Sequence, residues 1–232
     1  MTSRDSVFVT FEGGEGSGKS TQVQRLRQHL EGRGRRVVQL REPGGTPLGE
    51  ELRKLLLKSQ SISPRTELML FLAARSELVQ KVIKPALSGG IDVISDRFID
   101  STVAYQAYGR GLDRRLIDSL NAAVIEGCLP DVTVLLDIDP EAGLARASAD
   151  ASGDAIEGHW QQGLSFEAEG PGDGKRVGGR DRAFHRRVRK GYLEIARSQP
   201  GRWLVLDATQ PPDALAAAVA VRVESLLAKP AG

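Results

Sequence analysis

Residues 13–20 of the chain read Gly13-Gly14-Glu15-Gly16-Ser17-Gly18-Lys19-Ser20, which is the pattern G-x-x-x-x-G-K-S. An apolar run over Val7–Phe11 precedes them and predicts a strand, and Thr21–Glu31 after them is compatible with a helix. A glycine-rich turn between a strand and a helix lets successive backbone N–H groups point at one anion, beside the positive end of the helix dipole. The stretch therefore predicts a loop that binds the phosphates of a nucleotide.

In a loop of this type the lysine reaches the β- and γ-phosphates, and the hydroxyl that follows it ligates Mg²⁺. We therefore expect Lys19 to contact the phosphates and Ser20 to hold the metal ion. The alternative is a glycine-rich turn that carries a Lys-Ser pair by chance.

The composition of the chain excludes several classes of protein. Among its 232 residues 40% are hydrophobic and 27% are charged, as in ordinary globular domains, and the formal net charge of +2 predicts no general attraction to nucleic acids or membranes. The one cysteine, Cys128, fits a reducing compartment. No signal peptide is visible, and the apolar run Ala214–Val221 is too short to span a bilayer. We expect a cytoplasmic protein with a single domain over residues 1–232.

Short β-branched runs alternate with longer helical patterns along the chain. The predicted strands are Val7–Phe11, Val37–Leu40, Asp92–Ser95, Val132–Asp137 and Trp203–Leu206. The predicted helices are Thr21–Glu31, Pro47–Leu57, Pro64–Val82, Asp113–Glu126, Pro140–Ala147, Ala183–Ser198 and Pro212–Leu227. Because the strands lack polar–apolar alternation, they are expected to be buried on both faces of a parallel sheet in an α/β fold. Ligands of such a sheet collect at the carboxyl ends of its strands.

The segment Ser148–Gly179 interrupts this alternation, because it is rich in Gly, Ala, Asp and Glu and has no clear period. Its length predicts a long mobile loop or an inserted lid. Its composition fits a disordered linker equally well.

The segment Asp92–Phe98 predicts a buried strand that ends in an acid and a base, Asp96 and Arg97. An acid beside a phosphate loop can hold Mg²⁺ through water, and an arginine can bind a phosphate through two parallel hydrogen bonds. One alternative is a simple Asp96–Arg97 turn pair. A rival acid is Asp137 at the end of the next apolar strand, although Ile138–Pro140 after it favours the start of a helix.

Leu68, Phe71, Leu72 and Arg75 are spaced as i, i+3, i+4 and i+7, so they lie on one face of a helix. The apolar residues turn this face inward, and Arg75 must then find a buried anion, either a bound phosphate or a carboxylate of the protein. Phe71 is placed to stack on a flat ring or to form part of the core.

Two further segments supply groups for ligand binding. The glycines and prolines of Arg41–Pro47 predict a rigid turn at the end of the second strand, able to close over a second ligand. Hydroxyl and amide groups that suit a base edge, a sugar or an ordinary helix start follow Phe98: Ser101, Thr102, Tyr105 and Gln106.

Residues 175–190 carry eight basic side chains: Lys175, Arg176, Arg180, Arg182, Arg186, Arg187, Arg189 and Lys190. Such a run predicts a solvated face, a nucleic-acid contact, or a lid that donates an arginine to a transferring phosphoryl group. Phe184, Val188 and Tyr192 are spaced to dock this helix, so only some of the arginines can face a site.

These motifs resemble those of bacterial thymidylate kinases (dTMP kinases) in the P-loop nucleoside monophosphate kinase family. The matching pieces span almost the whole chain: Phe11–Thr21, Arg41–Thr46, Ala73–Arg75, Asp96–Phe98, Ala104–Gln106, Gly109–Gly111 and Arg187–Tyr192. The combination of Glu-Pro-Gly-Gly-Thr with Asp-Arg-Phe is far more specific than the phosphate loop alone.

The resemblance implies a P-loop NTPase-type three-layer fold, with a five-stranded parallel sheet flanked by helices and a mobile lid over about residues 146–182. It implies that ATP, with Mg²⁺, phosphorylates dTMP to dTDP, a step of dTTP biosynthesis. It further implies a homodimer. From the net charge, neither a nucleic acid nor a membrane is expected as a partner.

The resemblance also implies roles for individual residues. Phe71 would stack on thymine, Thr102 would contact the base, and Tyr105 would crowd the sugar 2′ position. Glu15 would sit near the 3′-hydroxyl and the reacting phosphates. The expected acceptor-binding residues, among which the arginines would hold the dTMP phosphate, are Arg53, Phe71, Arg75, Arg97, Thr102, Tyr105 and Gln106.

The variable positions of the phosphate loop hold no arginine. Enzymes of the family with such a loop supply the catalytic arginine from the lid, so the resemblance adds Arg180 and Arg182 to Glu15, Lys19 and Arg97 as catalytic residues. Arg146 is the alternative. Compared with the family pattern, roughly twenty extra residues follow the segment Asp137–Leu144, in a region where long loops are functional or disordered.

Three rival functions leave different signatures. A guanylate- or deoxynucleoside-type kinase would keep the phosphate loop without needing Glu-Pro-Gly-Gly-Thr. A GTP-binding switch would need an Asn-Lys-x-Asp motif, but the one asparagine of the sequence, Asn121, is followed by Ala122. A nucleic-acid-binding protein would use the basic run, and the low net charge and few aromatic residues argue against it.

Overall fold

The computed structural model describes residues 5–58, 62–149 and 182–228. Its five strands are β1 (Phe8–Gly13), β2 (Val37–Arg41), β3 (Asp92–Asp96), β4 (Val132–Asp137) and β5 (Trp203–Asp207). They form one sheet in the order β2-β3-β1-β4-β5, and every neighbouring pair is parallel. The register sets Phe11 opposite Asp96 and Gly13 opposite Leu136, so β1 ends between the ends of β3 and β4.

Helices cover both faces of this sheet. They are α1 (Lys19–Gly32), α2 (Pro47–Lys58), α3 (Pro64–Leu78), α4 (Lys84–Ser88), α5 (Ile99–Thr102), α6 (Arg114–Ile125), α7 (Pro140–Ala149), α8 (Arg182–Ser198) and α9 (Pro212–Leu227). Two widened π-helical turns, Val79–Ile83 and Val103–Gly109, continue α3 and α5. The predicted three-layer α/β fold with a five-stranded parallel sheet is confirmed.

Successive residues of β1 point to opposite faces and enter separate cores. Val9 and Phe11 pack in one core with residues of α1 and α9, whereas Phe8 packs in another with residues of the α3–α4 region. Every residue of β1 and β3 is buried, as expected for central strands covered on both sides.

Two helical segments differ from the sequence prediction. The helix predicted to end at Val82 runs on to Ser88, because the π turn Val79–Ile83 lets the chain continue through Pro85, which has no N–H to donate. The polar residues after Phe98 lie in α5 and its π turn, a helical segment that is not among the predicted helices. Their short polar and aromatic run gives a weak periodic signal.

The segment Ser148–Gly179, predicted as a loop or lid, lies outside the described residues except for Ser148 and Ala149, which end α7. Lys175, Arg176 and Arg180 of the basic run also lie outside them. Among the helices in the described ranges, none is both long enough and apolar enough to cross a membrane.

Candidate active site

The loop between β1 and α1 has the geometry of an anion-binding turn. Lys19 Nζ donates a hydrogen bond to the carbonyl of Gly14 at 2.9 Å, so the amine lies over the loop that precedes it. Side chains would strain the backbone at three of the loop's glycines, whose φ angles are 145°, 63° and 87°: Gly13, Gly16 and Gly18.

Ser20 and Asp96 meet at the end of this loop, as the sequence predicts for a metal site. Ser20 Oγ donates to Asp96 Oδ2 at 3.2 Å. A hydroxyl and a carboxylate are hard oxygen ligands of the kind that Mg²⁺ prefers, so the pair fits this ion.

The rival acid, Asp137, accepts two hydrogen bonds from Arg189 at 2.7 and 2.9 Å. The start of α7 is capped by Asp139, whose carboxylate accepts from the backbone of the first turn.

Most of the residues predicted to bind the acceptor line one cavity at the carboxyl ends of β2 and β3. Glu42 and Ser101 share this lining. The predicted residues that the cavity brings together are Phe71, Arg75, Arg97, Thr102, Tyr105 and Gln106. The remaining one, Arg53, donates from Nη1 to the carbonyl of Pro43 at 3.1 Å, directly beside Glu42.

Arg75 lies in this cavity with 1% of its surface exposed, as the helical period predicts. Nε and Nη2 donate to Glu42 Oε2 at 2.9 and 2.5 Å, and Nη2 also donates to the carbonyl of Phe98 at 3.1 Å. Nη1 donates to Thr102 Oγ1 and Asn121 Oδ1, both at 2.8 Å. All five N–H groups of the guanidinium are therefore used, and the carboxylate alternative for its partner is the one present.

Arg97 stands between the phosphate loop and the acceptor cavity. Its Nη1 donates to the carbonyl of Gly13 at 3.3 Å, to Ser101 Oγ at 3.2 Å and to Tyr192 Oη at 3.3 Å. Its guanidinium lies over the ring of Tyr105, 5.0 Å from the centroid. The contact with Gly13 joins Arg97 directly to the loop between β1 and α1.

Glu12 and Tyr192 belong to this site, although neither was among the predicted site residues. Glu12 is fully buried, and its carboxylate accepts from Tyr192 Oη at 2.8 Å, from Ser101 Oγ at 2.5 Å and from the backbone of Phe98 at 2.9 Å. Burial, and then the charge of Asp100, raises the pKa of Glu12 to about 7. The available sequence signal was one carboxylate at the end of an otherwise apolar strand.

A second cavity adjoins the phosphate loop on the side of β4. Its lining includes Gly14, Glu15, His185, Arg189 and Tyr192. The spacing that docks α8 explains this placement, because Val188 and Tyr192 are buried. Glu15, a residue of the phosphate loop, therefore lines this cavity, and His185 is a lining residue that the sequence reasoning missed.

The described arginines of the basic run contact protein groups. Arg182, predicted as catalytic, is 69% exposed and lies 4.0 Å from Glu141 on α7, whereas Arg186 reaches the same carboxylate at 2.7 Å. Arg187 donates to the carbonyl of Gly109 at 3.1 Å. The alternative to the lid arginines, Arg146, donates to the carbonyl of Ala208 at 2.8 Å.

A parallel sheet with this strand order, a G-x-x-x-x-G-K-S loop after β1 and an acceptor cavity beside it define a P-loop nucleotide kinase. The family is more specific, because the sequence profile of thymidylate kinase matches residues 11–162. The chain belongs to the thymidylate kinase family.

Thymidylate kinases of other organisms match this chain over nearly their whole length. Thymidylate kinase of Solidesulfovibrio magneticus is 50% identical over 92% of this chain and 96% of its own. That of Trichlorobacter lovleyi is 42% identical over 97% of this chain and 100% of its own. The crystal structure of thymidylate kinase from Ehrlichia chaffeensis superposes with a TM-score of 0.71 at 36% identity, covering 95% of this chain and 98% of that one.

Proposed function

We infer that this chain phosphorylates dTMP to dTDP with ATP as the phosphoryl donor. The strongest support for this inference is that six of the residues predicted to bind the acceptor line one cavity. A hydrogen bond from Arg97 to the carbonyl of Gly13 joins this cavity to the phosphate loop. Phosphoryl transfer needs two nucleotides held in line with their charges neutralised, and no covalent nucleophile.

On the donor side, we propose that residues 13–20 hold ATP and that Lys19 contacts its β- and γ-phosphates. Ser20 and Asp96 would hold Mg²⁺, which neutralises charge on the phosphate oxygens when it is bound. Glu15 would lie near the reacting phosphates and the acceptor's 3′-hydroxyl.

On the acceptor side, we assign the dTMP phosphate chiefly to Arg97, with Arg53 in support. Arg75 contacts a phosphate only if it gives up one of its five hydrogen bonds to the protein. Its bond to Thr102 Oγ1 suits the task of holding that base-contact residue in place. Phe71 would stack on thymine, whereas Tyr105 and Gln106 would face the sugar and the base.

The catalytic arginine of the lid stays a prediction. Arg180 lies outside the described residues, and Arg182 lies against Glu141. Replacing each of them singly with Ala is expected to lower turnover strongly in one case, by about 10³-fold or more, as for arginines that reach a transferring phosphoryl group. Small losses in both variants would exclude the pair, and Arg146 would be tested next.

We further propose that the chain works in the cytoplasm as a single kinase domain and as a homodimer. Leu48 and Leu55 support the dimer, because these half-exposed apolar residues lie seven positions apart on one face of α2. Sedimentation of the wild type against a double Leu48→Glu/Leu55→Glu variant tests it. A wild type that sediments as a monomer would exclude the dimer.

The test of the function is ADP release with Mg²⁺·ATP and each of dTMP, dUMP, dGMP, dCMP, AMP, GMP and UMP. A strong preference for dTMP is expected, because a cavity lined by Phe71, Thr102 and Gln106 suits a thymine ring. A preference for another acceptor would reject every assignment on the acceptor side and leave only the phosphate loop in place.

A further inference from the structure

Arg97 stands in a backbone conformation that a non-glycine residue rarely adopts. Its φ is 70°, in the left-handed region. The turn is tied to β1 on both sides of this residue, because Arg97 N donates to the carbonyl of Phe11 and Phe98 N donates to Glu12 Oε1, both at 2.9 Å. The buried carboxylate of Glu12 therefore helps to hold the strained turn that carries Arg97.

The direction of the Arg97 side chain depends on a second set of contacts. Nη1 has two N–H groups, and it is shared among three acceptors at 3.2–3.3 Å: the carbonyl of Gly13, Ser101 Oγ and Tyr192 Oη. These distances lie at or just beyond the long end of the normal range, so no single acceptor fixes the guanidinium and the three orient it together. The ring of Tyr105 supports it from one face.

Glu12 fixes two of those three acceptors. Its Oε2 accepts from both Ser101 Oγ and Tyr192 Oη, and the two hydroxyl oxygens lie 2.8 Å from each other. Tyr192 comes from α8 and is 1% exposed, whereas Glu12 comes from β1 and is fully buried. Two residues that lie 180 positions apart in sequence thus meet directly behind Arg97.

We propose that Glu12 and Tyr192 are positioning residues that aim Arg97 at the phosphate of the acceptor nucleotide. Tyr192 Oη contacts the guanidinium directly, and Glu12 holds both that hydroxyl and the backbone turn of Arg97. This inference rests on the proposed function, because the phosphate in question is that of dTMP. The rival role is purely structural, in which the network only joins β1, α5 and α8.

A comparison of dTMP with thymidine separates the two roles, since these ligands differ only in the phosphate. Tyr192→Phe keeps the ring and removes the hydroxyl. Calorimetry without ATP is expected to show a loss of dTMP affinity of about tenfold to hundredfold, which is what one charge-assisted hydrogen bond contributes, and an unchanged thymidine affinity. The matched control is Tyr108→Phe. In the wild type the Tyr108 hydroxyl accepts a hydrogen bond from Arg114 Nη1 at 2.8 Å, and its removal is expected to change neither the dTMP affinity nor the thymidine affinity.

A double-mutant cycle with Arg97→Ala completes the test. If Tyr192 acts through Arg97, Tyr192→Phe has no further effect on dTMP affinity in the Arg97→Ala background.

If Tyr192→Phe lowers the melting temperature, Glu12→Gln replaces it, because the amide keeps the shape of the carboxylate but accepts two hydroxyl hydrogen bonds poorly. The same selective loss of dTMP affinity is expected.

Three results would overturn the positioning role: equal losses for dTMP and thymidine, an unchanged affinity for dTMP, or a full additional loss in the Arg97→Ala background. A wild type that binds dTMP no better than thymidine is a different failure. It would remove the phosphate site assigned to Arg97, and with it the proposed acceptor site.

Discussion

Arg75 shows how a single buried side chain can set the shape of a binding cavity. Its hydrogen bonds join α3 to Glu42 after β2, to Asn121 of α6 and to Thr102 of α5. Burial raises the pKa of the Glu42 carboxyl, whereas the charge of Arg75 lowers it. Within the described parts of the chain, Glu42 Oε1 is buried without a hydrogen-bond partner, so Glu42 depends on the guanidinium at its other oxygen.

Replacing Arg75 with Ala is expected to lower the free energy of unfolding by about 3–5 kcal/mol, because it leaves the carboxylate of Glu42 buried without its cation. Urea unfolding measures the loss. Lys54→Ala is the matched control, since the pair Lys54–Glu51 has a similar distance of 2.6 Å but is exposed to solvent. Equal midpoints for the two variants would show that the buried pair contributes no more than the surface one.

Glu12 is expected to make stability depend on pH. Its pKa of about 7 in the folded protein exceeds the usual 4.5, so the folded state binds this proton more tightly than the unfolded state does. The contribution is therefore complete below pH 4.5 and is lost as the pH rises through 7. Relative to Glu12→Gln, the wild type is expected to lose on the order of 1–3 kcal/mol between pH 5 and 8.

Urea unfolding of the wild type and Glu12→Gln at several pH values checks this expectation. The pKa of Asp207 is instead lowered by the backbone and hydroxyl of Thr209, so its contribution is lost only as the pH falls below the ordinary range of an aspartate. Asp207→Asn should therefore run parallel to the wild type between pH 5 and 8. A parallel curve for Glu12→Gln would contradict the raised pKa.

At the scale of elements, the phosphate loop depends on α7, a helix that contains none of the residues predicted to bind ATP. α7 crosses the loop so closely that a Cβ at Gly143 would lie 2.3 Å from the carbonyl of Glu15. A Cβ at Gly16 would lie 2.0 Å from the carbonyl of Gly143. The two backbones can be in contact because both positions are glycine. α7 therefore packs directly against the loop and supports it from behind.

Gly143→Ala is expected to displace the phosphate loop. Overpacking of this kind costs about 1–3 kcal/mol, and a cost borne by the loop weakens ATP binding by at least about fivefold. Because alanine favours the helix by about 1 kcal/mol, the informative readout is ATP affinity and turnover rather than stability. The control is Gly32→Ala at the end of α1, where nothing lies within 4 Å of the added Cβ. An unchanged ATP affinity for Gly143→Ala would mean that α7 moves and the loop does not.

At the scale of the whole molecule, the sequence predicted what short-range patterns determine. Strands buried on both faces carry continuous apolar runs, and all five were predicted to within two residues at each end. The inward direction of Arg75 followed from the helical period, but its choice between phosphate and carboxylate depended on where Glu42 folds. The pairing of Glu12 with Tyr192 joins opposite ends of the chain, and no local spacing encodes such a contact.

The two proposed nucleotide sites are expected to stabilise the whole molecule independently. A ligand at 100 times its dissociation constant adds about 2.7 kcal/mol to the free energy of unfolding, which raises the melting temperature of a domain of this size by about 5–10 °C. Phe71→Ala should diminish the shift caused by dTMP and preserve the shift caused by Mg²⁺·ATP, because the ring lies in the acceptor cavity. Lys19→Ala should do the reverse, because the Lys19 amine lies over the phosphate loop.

Thermal unfolding of both variants with each ligand makes four comparisons. If either variant lost both shifts together, the two nucleotides would share one site, and the in-line arrangement on which phosphoryl transfer depends would be excluded.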